Sequence, residues 1–164
     1  MIEFDKQIEG VNEPRIRRFV ALARKAIRLK GDVSLLLTGN RQMRALNRSF
    51  RGKDKPTDVI SFPAVEAVRT RFAGDLAISL DIATSNARHL GHSAEDEIRI
   101  LILHGLLHLS GHDHETDNGQ MARKESRLRK QLGLPSGLID RTHGKAHPGK
   151  NKTKPRSSPK RRSQ

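Results

Sequence analysis

His104 and His108 lie four residues apart, Gly111 follows, and His114 comes ten residues after the first. Side chains at i and i+4 share one helix face with Cβ atoms about 6 Å apart. A glycine just past the second histidine lets the chain reverse, so that a third imidazole can reach the same point. Three imidazoles with a fourth position open form the donor set of a catalytic divalent-metal site, zinc above all. A solitary histidine among leucines is more often a core residue bonded to a carbonyl, and three at these offsets fit that description poorly. His112 reads as a loop residue or a group supporting the ligands, and Asp113 or Glu115 as a supporting acid or base, with loop capping and solvent exposure as equally good accounts.

The phrase His104 to His114 matches the zinc-protease pattern His-Glu-x-x-His-x-x-Gly-x-x-His at every fixed position but the second, where Gly105 replaces the glutamate. That glutamate is the general base of peptide hydrolysis, and a side chain without atoms cannot take a proton from water. The substitution argues against a protease and leaves the metal's own chemistry intact.

A second group is basic. Arg41, Arg44 and Arg48 recur at spacings of three and four, Arg51 continues the row, and Lys53 and Lys55 follow in a loop. Guanidinium groups in a row bind phosphates bidentately, whereas a peptide substrate has little use for them. For Arg41 and Arg44 a solvated helix face is an equally good account.

The elements that must hold these groups can be read from pattern. Ser93 with Glu95, Asp96 and Glu97 marks a helix start. From Ile98 to Leu109 the chain is apolar nearly all round, which predicts a helix buried in the middle of the domain. Upstream, Ile2 to Ile8 reads as a strand, and Pro14 opens a helix with the stripe Ile16, Phe19, Val20, Ala23 and Ile27. Val33 to Leu37 is a strand, and residues 40–50 are helical with Met43, Leu46 and Phe50 inward. After the loop Gly52 to Thr57 come strands at Val59–Phe62 and Asp75–Ser79, then a helix from about Leu80 to Gly91. A last polar helix runs from about Asp117 to Leu132, stopped by Gly133 and Pro135. This order predicts an α+β or α/β sandwich, with helices packed on a small sheet.

At 164 residues without cysteine, the chain is one domain plus extras, with no disulfides and no thiolate ligands. The N-terminus lacks the basic head and apolar run of a signal peptide, and no apolar stretch reaches the ~20 residues of a membrane span. A cytoplasmic protein is expected. Of the net charge of +14, nine positive charges fall between Arg141 and Lys160-Arg161-Arg162 with no acid among them. That segment is rich in Pro, Ser and Gly, and cannot bury enough surface to offset its ordering entropy. It reads as a disordered basic arm that attracts polyanions, or as a solubilising appendage. The expected division is a domain at 1–138 and a tail at 139–164. With no Trp or Tyr and five Phe, the chain lacks the aromatic platform of RRM or OB-fold nucleic-acid readers.

Three phrases occur in a family's order: Asn47 to Pro63 (Asn-Arg-Ser-Phe-Arg-Gly-Lys-Asp-Lys-Pro-Thr-Asp-Val-Ile-Ser-Phe-Pro), Gly74 to Ser79, and His104 to His114. Together they resemble the YbeY family of bacterial metal-dependent endoribonucleases, loosely over residues 1 to about 135. The resemblance implies zinc, one per chain, on His104, His108 and His114, and a functional arginine at Arg51, with Arg48, Lys53 and Lys55 as substrate-binding neighbours. It implies a small mostly parallel sheet flanked by helices, with the metal-bearing helix buried and zinc in a cleft. It further implies single-strand cleavage in rRNA maturation, at the 16S 3′ end, and in ribosome quality control. The partners implied are rRNA, ribosomal subunits and ribosome-associated proteins, with no membrane. A ribosome-assembly factor with a structural zinc, and a zinc hydrolase of another substrate, remain as alternatives. The family core does not require the basic C-terminal arm.

Overall fold

The computed structural model describes residues 1–5, 8–112 and 117–135. Four strands, β1 (Ile2–Phe4), β2 (Asp32–Thr38), β3 (Val59–Pro63) and β4 (Phe72–Ser79), form one sheet in the order β1-β2-β4-β3. The β1–β2 and β2–β4 pairings are parallel and β3–β4 is antiparallel, so the sheet is mixed, with two of its three pairings parallel. The helices are α1 (Glu13–Ile27), α2 (Asn40–Arg51), α3 (Leu80–Leu90), α4 (Ala94–Leu109) and α5 (Gln120–Leu132). The result is an α+β fold.

Alternation along the strands assigns the two sheet faces. Val33, Leu35, Leu37, Leu76 and Ile78 point into the main core with α1, α3, α4 and α5, while Leu36, Ala77, Ile60 and Phe62 meet Met43 and Leu46 of α2 on the other face. Helix α4 is the hub: its apolar residues from Ile98 to Leu109 are buried, as a helix apolar on every side must be. Its start is fixed by Ser93, whose Oγ accepts from Asp96 N–H at 3.0 Å. Glu97, fully buried in the first turn, accepts from Asn86 Nδ2 at 3.3 Å and lies 2.6 Å from His92 Nε2.

Several expectations shift. Strand β1 ends at Phe4, paired with Leu37, and the last bond to β2 is Asp5 N–H to Leu37 O at 3.0 Å. Strand β4 begins at Phe72 instead of Asp75, and α5 at Gln120, where Asp117 accepts from the backbone N–H of Gly119 and Met121 at 2.8 and 2.7 Å. Phe50, expected inward, is 66% exposed, its ring set edge-on to Phe62 with centroids 4.7 Å apart. The buried place near it belongs to Asn47, one turn from Met43 along the same face of α2. The expected boundary at 138/139 and the basic arm lie outside the described residues.

Candidate metal centre

Helix α4 carries His104 and His108 on one face, one turn apart. Their Nε2 atoms face each other at 3.1 Å, with ring centroids 4.8 Å apart. His104 is 7% exposed, and its Nδ1 lies 2.9 Å from Oε2 of Glu125, a carboxylate of α5 that is 1% exposed. The carboxylate orients the ring: Nδ1 faces the acceptor and donates to it, which leaves Nε2 as the atom turned toward His108. Two nitrogen ligands at 2.0–2.1 Å in a tetrahedral site stand roughly 3.3 Å apart. The observed separation is close to that edge, and a carboxylate behind a ligating histidine is the usual support for such a site. The donor set and its spacing therefore fit a divalent ion.

Two imidazoles do not make a full site. Among the described residues no group of three His, Cys, Asp or Glu converges. His114, the expected third imidazole, lies outside the described residues with Asp113 and Glu115. His112 is described and is engaged elsewhere. Ser110 Oγ donates to Leu107 O at 2.7 Å and lies 2.9 Å from His112 Nδ1, while Lys124 Nζ lies 3.3 Å from His112 Nε2. Burial first, and the Lys124 charge second, lower the His112 pKa, so the ring is held neutral and accepts from the ammonium.

Gly105 has a packing reason. A Cβ there would stand 2.7 Å from Leu76 Cδ2 and 3.3 Å from Ser61 Oγ, so the glycine lets α4 lie close on β4 and β3. Ser61 Oγ donates to Gly105 O at 3.4 Å across that contact. Position 105 faces the sheet, and the glutamate of the protease pattern has no room there. Gly74 makes the same approach from the strand side. Its φ is 144°, and a Cβ would fall 2.3 Å from Phe62 O and 2.9 Å from Leu109 Cδ2.

The arginine row is less open than the sequence suggests. Arg44 grips Asp54 with Nε and an Nη at 2.9 and 2.6 Å, and an Nη of Arg48 lies 3.8 Å from the same carboxylate. The Arg44 hydrogen bond lowers the Asp54 pKa, and Asp54 in turn raises that of Arg44. Buried Asn47 donates from Nδ2 to Lys55 O at 2.7 Å, and Lys53 N–H donates to Asn47 O at 3.3 Å, so the loop is pinned to its helix. Arg51, Lys53 and Lys55 are exposed. The structure does not set Arg51 against the histidine pair directly: α2 covers the opposite sheet face from α4. The link runs from Arg51 through the pinned loop into β3, which touches α4 at Ser61 and Gly105.

The sequence does not single out Glu125 or Asn47 as a site residue. The signal for Glu125 is an acid set within the stripe Met121, Glu125, Leu128, where the buried face of an amphipathic helix would show a hydrophobe. For Asn47 the signal is a polar residue one turn after buried Met43.

A family model described as "Endoribonuclease YbeY" matches residues 3–133. The endoribonuclease YbeY of Koribacter versatilis is 54% identical over 142 residues, 87% of this chain and 91% of the relative. That of Solibacter usitatus is 47% identical over 140 residues, 85% of this chain and 92% of the relative. Among solved structures, the solution structure of TM1509 from Thermotoga maritima is similar with a TM-score of 0.56 at 26% identity, covering 92% of this chain and 99% of the other.

Proposed function

The chain belongs to the endoribonuclease YbeY family, and on that premise we propose that it is a metal-dependent endoribonuclease that cuts single-stranded RNA during rRNA maturation. The observation that carries this reading is the His104–His108 pair, Nε2 to Nε2 at 3.1 Å, with Glu125 behind it. His104, His108 and His114 would hold one zinc ion. When bound, such an ion supplies Lewis acidity, drawing electron density from a phosphoryl oxygen and making water a better nucleophile near neutral pH.

The chain's own groups do the rest. Glu125 keeps His104 in the tautomer whose Nε2 lone pair can bind a metal. Arg51 offers a planar fork to the non-bridging oxygens, where charge builds as the phosphodiester is cleaved. Lys53 and Lys55, exposed on the pinned loop, and Arg48, which shares Asp54 with Arg44, bind flanking phosphates. Gly105 leaves no carboxylate on the first turn after His104, so a proton acceptor must come from outside α4's metal face.

In this reading the substrate is the 3′ end of 16S rRNA within ribosomal subunits, and residues 139–164 form a basic arm that draws RNA to the domain at 1–138. No described helix is long and apolar enough to cross a membrane, and a cytoplasmic location accords with an rRNA substrate. The test is cleavage of defined rRNA precursor fragments by metal-free, zinc-loaded and manganese-loaded protein. Cleavage restored by zinc and lost in His108→Ala is expected; cleavage indifferent to metal overturns the reading.

A further inference from the structure

At the end of the molecule where α1 and α4 finish and β4 begins, a pocket of about 300 Å³ is lined by Arg28, Lys30, Arg69, Lys124, His112 and Ser110 together with apolar residues and Thr70. Among the described residues no carboxylate lines it. Arg69 bonds outward to exposed Glu66 at 3.1 Å, and Lys124 meets an imidazole, that of His112, at 3.3 Å. Four cationic residues around one concavity whose lining holds no acid among the described residues create a positive potential that favours an anion. Arg28 adds a backbone signature, since its φ of 62° makes it the sole non-glycine residue in the left-handed region among those described. That conformation ends α1 and turns Arg28, Leu29 and Lys30 toward the pocket, where glycine would make the same cap without strain.

We propose that this pocket is a phosphate subsite for the RNA strand, separate from the arginine and lysines of the α2 loop. The inference rests on the endoribonuclease reading and adds a second anchoring point to it. Leu109 and Ser110 follow His108 directly, and Lys124 precedes Glu125, so the pocket and the histidine pair share the C-terminal end of α4. The Cα atoms of His108 and Ser110 are separated by two residues, at most roughly 7 Å. A strand passing around that end places one phosphate at the histidines and a neighbouring one among Arg28, Lys30, Arg69 and Lys124. Such an anchor sets position along the strand and leaves the chemistry alone.

The test compares the wild-type chain, Arg28→Gly/Lys30→Gln, and Arg18→Gln/Arg88→Gln. The last pair removes two exposed charges that do not line the pocket. Glycine at 28 keeps the left-handed cap, so the pocket variant should fold, and its melting temperature checks this. Binding of a labelled single-stranded RNA oligomer is measured across salt, beside cleavage at saturating RNA. The pocket variant should raise Kd and KM and make the slope of log affinity against log salt shallower by up to about 1.4, about 0.7 for each single-strand phosphate no longer neutralised. Its kcat should equal that of wild type, and Arg18→Gln/Arg88→Gln should show a smaller change in slope. A 5′-phosphate on the oligomer that strengthens binding only to the wild type identifies a terminal phosphate in the pocket; no such effect identifies an internal phosphodiester. Equal slopes for the two double variants, or a wild-type slope in the pocket variant, overturn the subsite. If the wild-type protein fails to cut RNA at all, the endoribonuclease reading fails, while the binding comparison still decides the pocket.

Discussion

Glu125 Oε2 lies 2.9 Å from His104 Nδ1, joining two helices across 21 positions of sequence. Both groups are buried, so the contact orients the imidazole and ties α5 to α4 at once. Glu125→Ala should lower zinc affinity about 10- to 100-fold, the usual cost of removing a ligand's outer partner. It should also lower the melting temperature of the metal-free protein, because His104 Nδ1 loses a buried acceptor. Glu125→Gln keeps an acceptor oxygen and should fall between. Competition with a chromogenic chelator measures the affinity; wild-type affinity in Glu125→Ala would separate this carboxylate from the metal.

His108→Ala should remove most bound zinc and leave the fold intact, since α4 is held by its apolar residues. Metal analysis of purified protein checks it, and equal content in variant and wild type would displace the site. Zinc at one hundred times its Kd adds about 2.7 kcal/mol to stability. Chelation should therefore lower the melting temperature of the wild type and leave that of His108→Ala unchanged.

How far the sequence carried this site follows from which signals are local. The His104 to His108 spacing is local to one helix, and so were the apolar runs that place α4, β2 and β4. Glu125 was not, because its partner comes from another helix and only packing shows that the stripe of α5 turns that acid inward. Phe50 misleads by its type: a phenylalanine at helical spacing predicts burial, yet α2 meets the sheet through Met43 and Leu46, leaving Phe50 to set its ring edge-on to Phe62. The arginine row misled by omission, since Asp54 engages Arg44 and Arg48 from a loop whose path the sequence does not give.

Gly105 stands where the protease pattern has a glutamate, and the structure gives it a steric role. Alanine gains up to about 1 kcal/mol of helix propensity, against an overpacking cost of roughly 1–3 kcal/mol where Cβ meets Leu76. Gly105→Ala should thus be destabilised in urea titration despite its better propensity, and a stabilised variant would contradict the close approach. Gly105→Glu should be far less stable and show no peptidase activity.

Arg51→Ala should slow RNA cleavage at least tenfold with metal content unchanged, and Arg51→Lys should rescue little because an ammonium cannot present a fork. Arg44→Ala should act differently, by freeing Asp54 and loosening the loop that carries Lys53 and Lys55. The Asp54 pKa is depressed in the folded chain, so its contribution is present above the ordinary carboxylate range and is lost as pH falls through the lowered value. Both side chains are solvent-exposed, so the effect on global stability is small. Cleavage rates and metal content for the three variants test this, and normal cleavage by Arg51→Ala would remove Arg51 from the site.

Deleting residues 141–164 removes nine positive charges and no acid. As a polyanion-attracting arm, the segment should act on affinity and not on chemistry. RNA binding by the truncated chain should weaken at low salt, with a shallower salt slope, again by up to about 0.7 per single-strand phosphate released. Metal content and the rate at saturating RNA should survive, because His104, His108 and Arg51 all precede the deletion. The loss should add to that of Arg28→Gly/Lys30→Gln, since the two act on different phosphates. A truncated chain with full-length affinity and slope would make the arm a solubilising appendage. One that loses metal or unfolds would move the domain boundary beyond residue 140.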